Sequence, residues 1–287
     1  MRLKGRLIEL AFNFIPDVDV VIDGVTYNNF NYSISFLINR RNSNTGNEAT
    51  ININFLTKET RTKFLKMSRT AIDVEDVNKE YSIIVMAGYK TSGKSIIFEG
   101  TIDEVEENDN GGVTLDCTEG DYHFVNDTIN KNFAPGTTVL EAVKNIMQTS
   151  KYGLGVIDTN IIDKELTRGY NVTSNLKSAL QGLADTLEQE VEARTNKGII
   201  YFVSPKYTEK ELEISADTGV KSIKERDEEY IITMYLHNSL VENTVVNVKD
   251  KSGAITRMKI NTVSHFYNKN RCETQIEAMV EVENKNE

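Results

Sequence analysis

The chain has no tryptophan, three prolines, two cysteines and three histidines among 287 residues. The missing tryptophan decides nothing by itself. Cys117 and Cys272 lie far apart in sequence, which excludes the dense disulfide framework of small secreted domains and leaves reduced, buried thiols as the expectation. Cys117 and His123 are six residues apart, His265 and Cys272 seven. Neither pair forms a Cys-x-x-Cys or His-Glu-x-x-His unit, so no metal and no other cofactor is expected. A cysteine-protease pairing of either thiol with a histidine has no local signature, and the buried-thiol reading is preferred.

Long apolar runs are also missing. No stretch reaches the roughly eighteen residues needed to span a bilayer, so no membrane partner is expected. Met1–Arg6 is basic, but Glu9 and Asn13 follow and there is no small-residue cleavage site. The expectation is a chain kept in the cytosol, or leaving it without a cleaved signal. Positive charge is in deficit: 33 Lys and Arg stand against 43 Asp and Glu, a net charge of −10. That argues against specific nucleic-acid binding, which needs clustered cations. With 39% hydrophobic and 26% charged residues the composition is that of an ordinary soluble protein. The length leaves room for two or three domains.

Among the features present, Tyr81–Val105 stands out. Gly88, Gly93, Lys94 and Ser95 match the phosphate-loop pattern. Such a loop joins a buried strand to a helix whose N–H groups hold phosphate. Tyr81–Ala87 is apolar and β-branched, as the strand requires. Ile96–Val105 holds β-formers without a helical stripe. The stretch therefore reads as a β-hairpin. Lys90, Thr91, Ser92 and Lys94 form its basic tip, a candidate contact with an acidic neighbour, and Gly93 supplies a positive φ.

The first third is strand-rich. Val18–Ile22 and Val25–Tyr27 flank a turn at Asp23-Gly24. Tyr32, Ile34, Phe36 and Ile38 share one face, as do Ile51, Ile53 and Phe55. Arg40–Asn47 reads as a polar loop. Thr57–Ser68 can form a short helix capped by Thr57 or Thr60, Ile72–Lys79 a connector, and Val113–Cys117 a strand after a turn at Asn108–Gly112. The middle changes period. Beyond the break at Ala134-Pro135-Gly136, Thr138 and Glu141 have capping-box spacing ahead of a stripe of Val139, Leu140, Val143, Ile146 and Met147. Gly153–Ile157 reads as a short strand. Ser174 or Asn175 can cap a second helix whose apolar face runs from Leu176 to Val191, and a turn at Thr195–Gly198 leads into a strand over Ile199–Val203. These stripes read as core faces rather than partner grooves. Beyond Ser204-Pro205, strands are expected over Tyr230–Leu236, Thr244–Lys249, Ile255–Val263 and Glu273–Val282, with turns at Lys251–Gly253 and Asn268–Asn270. In the last strand Thr274, Ile276, Ala278, Val280 and Val282 are placed inward.

Other chemistry is weaker. Glu106, Asn108, Asn110 and Gly111 fit part of a calcium loop, but its twelfth position falls on Cys117, where a bidentate glutamate is required. Carboxylate pairs for glycoside hydrolysis are not recognisable from spacing. The glycosylation patterns at Asn31, Asn126 and Asn171 carry no weight without a secretory route.

Three stretches resemble one family. Val85–Tyr89 followed by Ile97–Ile102 is similar to the AGY…IFxGxI hairpin of bacteriophage tail baseplate hub proteins. Asn175–Val203 resembles that family's helix-then-hairpin segment with its IYFV strand. Ile260–His265 and Thr274–Ala278 resemble its closing strands. Two departures stand out: Val241-Glu242-Asn243 replaces a common Pro-Gly, and the usual tryptophan before the last strand is missing. The resemblance implies a β-dominated α+β chain: an N-terminal tube-like β-barrel over residues 1–133, an α+β segment with two helices over 134–204 and a C-terminal barrel over 205–287. It further implies a non-enzymatic homotrimer in the virion tail of a phage or phage-like injection particle, assembled in the host cytoplasm. There it would join the hexameric tail tube protein to a trimeric spike or tail-fibre protein, with DNA passing through the lumen without specific binding. The alternatives are a tail-associated cell-wall hydrolase and, behind it, a phosphate-loop nucleotide-binding protein.

Overall fold

A computed structural model of the chain describes residues 14–41, 47–68, 80–119, 124, 128–150, 152–196, 199–204, 207, 211–227, 229–250 and 252–281. Most of the polar loop after Arg41, the connector Ile72–Lys79, His123, Asn126, Gly198, Pro205, Lys251 and Val282 lie outside the described residues. Two compact units form: Met1–Thr118 with Lys210–Glu287, and Glu119–Glu209.

The first unit begins with β1 (Pro16–Ile22) and β2 (Val25–Asn28), a hairpin turning through Asp23 and Gly24, both at positive φ. β3 (Ser33–Arg41) and β4 (Glu48–Asn54) pair antiparallel from Ser33↔Asn54 to Asn39↔Glu48. Period-two patterning buries Ile34, Phe36 and Ile38 from one strand and Ile51 and Ile53 from the other. Phe55 does not continue that face, as its sequence position suggested. It leaves the strand at φ +61 and is 75% exposed. A β-carbon in this left-handed region costs about 1–2 kcal/mol. Flanking hydrogen bonds hold the backbone there: the Leu56 N–H donates to the Gly111 carbonyl at 3.1 Å and Arg61 Nη1 to the Leu56 carbonyl at 2.8 Å.

The chain continues into α1 (Lys58–Leu65), capped by Thr57, whose hydroxyl accepts the Thr60 N–H. β5 (Ser82–Tyr89), β6 (Gly93–Asn108) and β7 (Gly112–Glu119) follow. The turn between β6 and β7 is the suspected calcium loop. Asn108 Oδ1 is occupied there by the N–H groups of Asn110 and Gly112, an Asx turn of ordinary hairpin chemistry.

The second unit holds β8 (Thr128–Phe133), α2 (Val139–Thr149), β9 (Val156–Ile157), β10 (Tyr170–Asn175), α3 (Leu176–Ala184), β11 (Glu192–Asn196) and β12 (Ile199–Val203). β8 pairs with β10; β12 pairs antiparallel with β11 and parallel with β9. Thr138 and Asn175 cap the helices through Glu141 and Ser178 N–H groups. Between these elements lies a largely aliphatic core that includes Val143, Ile146, Met147, Leu180 and Leu183, together with the aromatic Phe202. α3 is shorter than the stripe suggested. Leu187 and Val191 are buried beyond its end, on turn and strand-entry residues.

The chain then returns to the first unit with β13 (Leu212–Ile214), β14 (Val220–Arg226), β15 (Glu229–Tyr235), β16 (Val245–Lys249), β17 (Ile255–Asn268) and β18 (Arg271–Val280). One 13-stranded sheet results, with the path β14-β15-β18-β17-β3-β4-β7-β6-β5-β1-β2, while β16 pairs with β17 and β13 pairs parallel with β16. No pairing among the described residues closes this path into a barrel. β17 changes partner along its length. Ile255–Lys259 pairs with β16, and Thr262–Tyr267 pairs with β3, past a register shift between Ile260 and Thr262. Two apolar clusters line the sheet. One is built mainly from β1 to β7; the other, with Ile232, Val246, Ile260 and Ile276, lies among the later strands. Thr274, Ile276 and Ala278 face inward as expected, but Val280 is 41% exposed. It is the last residue of its strand. Cys117 is buried; Cys272 is half-buried, because Cys272 sits beside the β17–β18 turn.

Candidate interaction surface

The phosphate-loop pattern straddles two antiparallel strands. Gly88 lies opposite Lys94, and Tyr89 opposite Gly93. A Cβ on Gly88 would come within 2.0 Å of the Gly93 carbonyl oxygen, so glycine serves close strand approach. Gly93 turns the hairpin at φ +79. β6 runs on from Gly93 to Asn108. No helix N-terminus follows Ser95 and no N–H cradle forms, which removes the nucleotide reading.

The basic tip is divided between two tasks. Lys94 folds back onto β1, its Nζ 2.9 Å from Asp17 Oδ1 and 2.6 Å from Asp19 Oδ2. Burial pushes the ammonium pKa down, but hydrogen bonds to Asp19 and Asp17 outweigh it and hold the pKa above its ordinary value. Lys90 stays at the tip. Its N–H donates to the Ile15 carbonyl at 3.0 Å, and its Nζ lies 4.2 Å from the ring centroid of the exposed Phe30. The Ser92 N–H donates to the Tyr89 carbonyl, closing the turn through Thr91.

Sequence reasoning missed the polar seam where the early and late strands meet. Arg40 is fully buried on β3. Its Nε lies 3.1 Å from Glu242 Oε2, its Nη1 donates to the Ile97 carbonyl at 3.2 Å, and Asn47 Nδ2 donates to Glu242 Oε1 at 3.4 Å. Nearby, the Tyr89 hydroxyl accepts the Leu236 N–H at 2.9 Å and donates to the Cys272 carbonyl at 3.4 Å. Burial drives the Tyr89 phenol pKa far up and pushes the Cys272 thiol to about 11. Asn29 Nδ2 donates to the Tyr267 hydroxyl at 2.9 Å. These partners are as many as 238 residues apart in sequence, so no local pattern marks them.

His265 Nδ1 lies 2.9 Å from Thr274 Oγ1, and Cys272 lies opposite Tyr267 across the hairpin. Among the described residues no group of three His, Cys, Asp or Glu side chains could hold a metal ion, and no helix is long and apolar enough to cross a membrane.

The described residues thus form a β-dominated fold, with one large, mainly antiparallel sheet and an α+β unit inserted in the chain. Residues 18–241 match the model of the baseplate hub gp41 family, and the chain belongs to that family of phage tail proteins. No curated protein matches it in sequence. Its fold is similar to that of the prophage MuSo2 43 kDa tail protein from Shewanella oneidensis, at 12% identity over 93% of this chain and 97% of that one, with a TM-score of 0.63. It is likewise similar to a tail protein from Neisseria meningitidis MC58, at 10% identity over 93% and 96% of the two chains and a TM-score of 0.59. The Escherichia coli c3393 protein, a component of the type VI secretion system with structural similarity to the T4 tail proteins gp27 and gp5, aligns at 12% identity over 92% of this chain and 77% of its own, with a TM-score of 0.56.

Proposed function

We propose that the chain is the structural hub that joins tube to spike. Three copies assemble into a ring whose one side takes the hexameric tail tube protein and whose other takes a trimeric spike or tail-fibre protein. One observation carries this reading: a single sheet bears two separate apolar clusters, one from the early strands and one from the late. Two β-modules per subunit, taken three times, would supply six tube-facing modules from a trimer. On this reading the modules are two small tube-like β-barrels over residues 1–133 and 205–287, with the α+β segment 134–204 between them in the chain. The edge strands at either end of the sheet path pair or pack across subunits, which protects them from open-ended association. The hairpin tip Lys90, Thr91, Ser92 and Lys94 contributes a contact to an acidic neighbour, chiefly through Lys90, because Lys94 is already engaged by Asp17 and Asp19. A net charge of −10 suits a lumen through which DNA passes without sticking. The protein acts by assembly rather than catalysis, in the virion tail, after assembly in the host cytoplasm.

Solution mass tests this, measured for the chain alone and mixed with the tail tube protein. A trimer in either condition is expected. A chain that stays monomeric in both would sink the reading.

A further inference from the structure

α1 carries a cationic face on an acidic protein. Lys58, Lys63 and Lys66, with Glu59 and Thr62 between them, line an open surface groove of about 620 Å³ along it, and none of the three ammonium groups is in an ion pair among the described residues. Just ahead of the helix stands Phe55, three-quarters exposed and strained at φ +61. Hydrogen bonds made by the N–H and the carbonyl of the next residue, Leu56, pin the backbone there. A phenyl ring held into solvent against its backbone preference is the kind of aromatic anchor that fills a pocket on a partner.

The second unit offers the complement. Following α3, an open groove of about 610 Å³ has an apolar floor of Ala184, Leu187 and Val191 and a rim of Asp185, Glu188 and Glu190. Lys164 holds Glu188 at 2.8 Å, and Gln181 Nε2 donates to Asp185 Oδ1. The ion pair offsets the charge of Glu188 and leaves Asp185 and Glu190 as the rim's uncompensated carboxylates among the described residues. Gln189 is locked by two hydrogen bonds to the backbone of Ile162, which fixes the groove's outer wall.

We propose that Phe55 and the lysine face of α1 on one copy dock into the acid-rimmed groove at residues 184–191 of a second copy. The phenyl ring seats on the apolar floor, and the lysines meet Asp185 and Glu190. The two surfaces differ, so the contact is heterologous, unlike that of a twofold dimer, and it can repeat from copy to copy. The inference rests on the self-association proposed above and names the surfaces that produce it. Charge complementarity chooses the occupant: the chain carries its own cationic partner for its own anionic groove.

Charge reversal in the full-length chain tests it, read by sedimentation equilibrium across a salt series. Lys58→Glu with Lys63→Glu, and separately Asp185→Lys with Glu190→Lys, are each expected to weaken association at least tenfold. All four changes in one chain are expected to restore it. Phe55→Gly removes the ring and relieves the strain, and is expected to weaken association without loss of folding. Circular dichroism checks that every variant is folded. A wild-type trimer that neither reversal weakens, or that the fourfold variant fails to restore, overturns this contact and leaves the trimer reading intact. A wild-type monomer at the highest soluble concentration, with and without tube protein, overturns both. Unchanged self-association with lost co-assembly would assign these surfaces to the tube protein and overturn the contact. A reversal that lowers thermal stability at unchanged mass would place the pairing within one chain, which also defeats it.

Discussion

Where the early and late parts of the chain meet, the fully buried Arg40 guanidinium, the Glu242 carboxylate, the Asn47 carboxamide and the Tyr89 phenol link residues far apart in sequence. Between α2 and α3 the filling is aliphatic, from Val139 through Leu183. The aliphatic core tolerates rearrangement, because any side chain of similar volume satisfies it. The seam does not, because each group needs a particular partner at a particular place. Burying an ion pair adds little net stability over an apolar replacement. What it adds here is specificity of contact: Arg40 on β3 meets both the Glu242 carboxylate and the Ile97 carbonyl on β6.

The largest effect is expected from breaking that seam. Arg40→Met leaves the Glu242 carboxylate buried without its cation and should cost about 3–5 kcal/mol of unfolding free energy, measured by urea denaturation. Adding Glu242→Leu removes the stranded charge and should recover most of the loss. If the single and double variants are equally unstable, the seam acts by packing alone and the contrast with the aliphatic core disappears.

A smaller and local effect is expected in the second unit. Leu180 is fully buried in α3, and Leu180→Ala should cost about 2–4 kcal/mol through lost burial and the cavity left behind. Hydrogen exchange should show the loss confined to residues 119–209, because the variant touches no residue of the seam. Loss of protection spread evenly over β3 and β17 would mean that the two units do not unfold separately.

The two regions also differ in how legible they were. The capping side chains of Thr138 and Asn175 and the helix stripes are local patterns, and the helices formed where they pointed, although α3 stops at Ala184. The β5–β6 and β17–β18 hairpins were legible for the same reason: alternation and turn residues lie within a few positions of each other. β8, β10, β13 and β14 were not. β13 is three residues long, β14 reads Val-Lys-Ser-Ile-Lys-Glu-Arg with its side chains largely exposed, and β8 and β10 are mostly polar. Their strand character comes from pairing partners. Phe55 fits the β4 alternation and was placed inward; only the Gly111 and Arg61 contacts reveal the turn that rotates it out. The basic tip was found, but its division between Lys90 and Lys94 depends on Asp17 and Asp19, more than seventy residues upstream. Arg40 and Glu242 carried no signal, since a lone charge in a strand gives no clue to a partner 202 residues away.

The smallest expected effect separates charge from hydrogen bonding within the seam. The Tyr89 hydroxyl is the acceptor for the Leu236 N–H, so Tyr89→Phe strands one buried donor at a cost of about 1–2 kcal/mol. The same hydroxyl and the Cys272 thiol both have pKa values raised by burial, the thiol to about 11. Groups whose folded pKa lies above the unfolded value contribute stability that is fully present below the unfolded pKa and fades as pH rises through the folded one. For Cys272 that window opens near the ordinary thiol pKa of about 8.5 and closes near 11. Cys272→Ala should therefore flatten the decline in stability across that interval, while Tyr89→Phe should flatten its continuation at higher pH. Arg40 keeps its charge throughout and adds nothing to an alkaline decline, while Cys117 and Tyr267 add to it in every variant, so a decline that neither substitution changes would remove the tyrosine and the thiol from the set of groups that hold the seam.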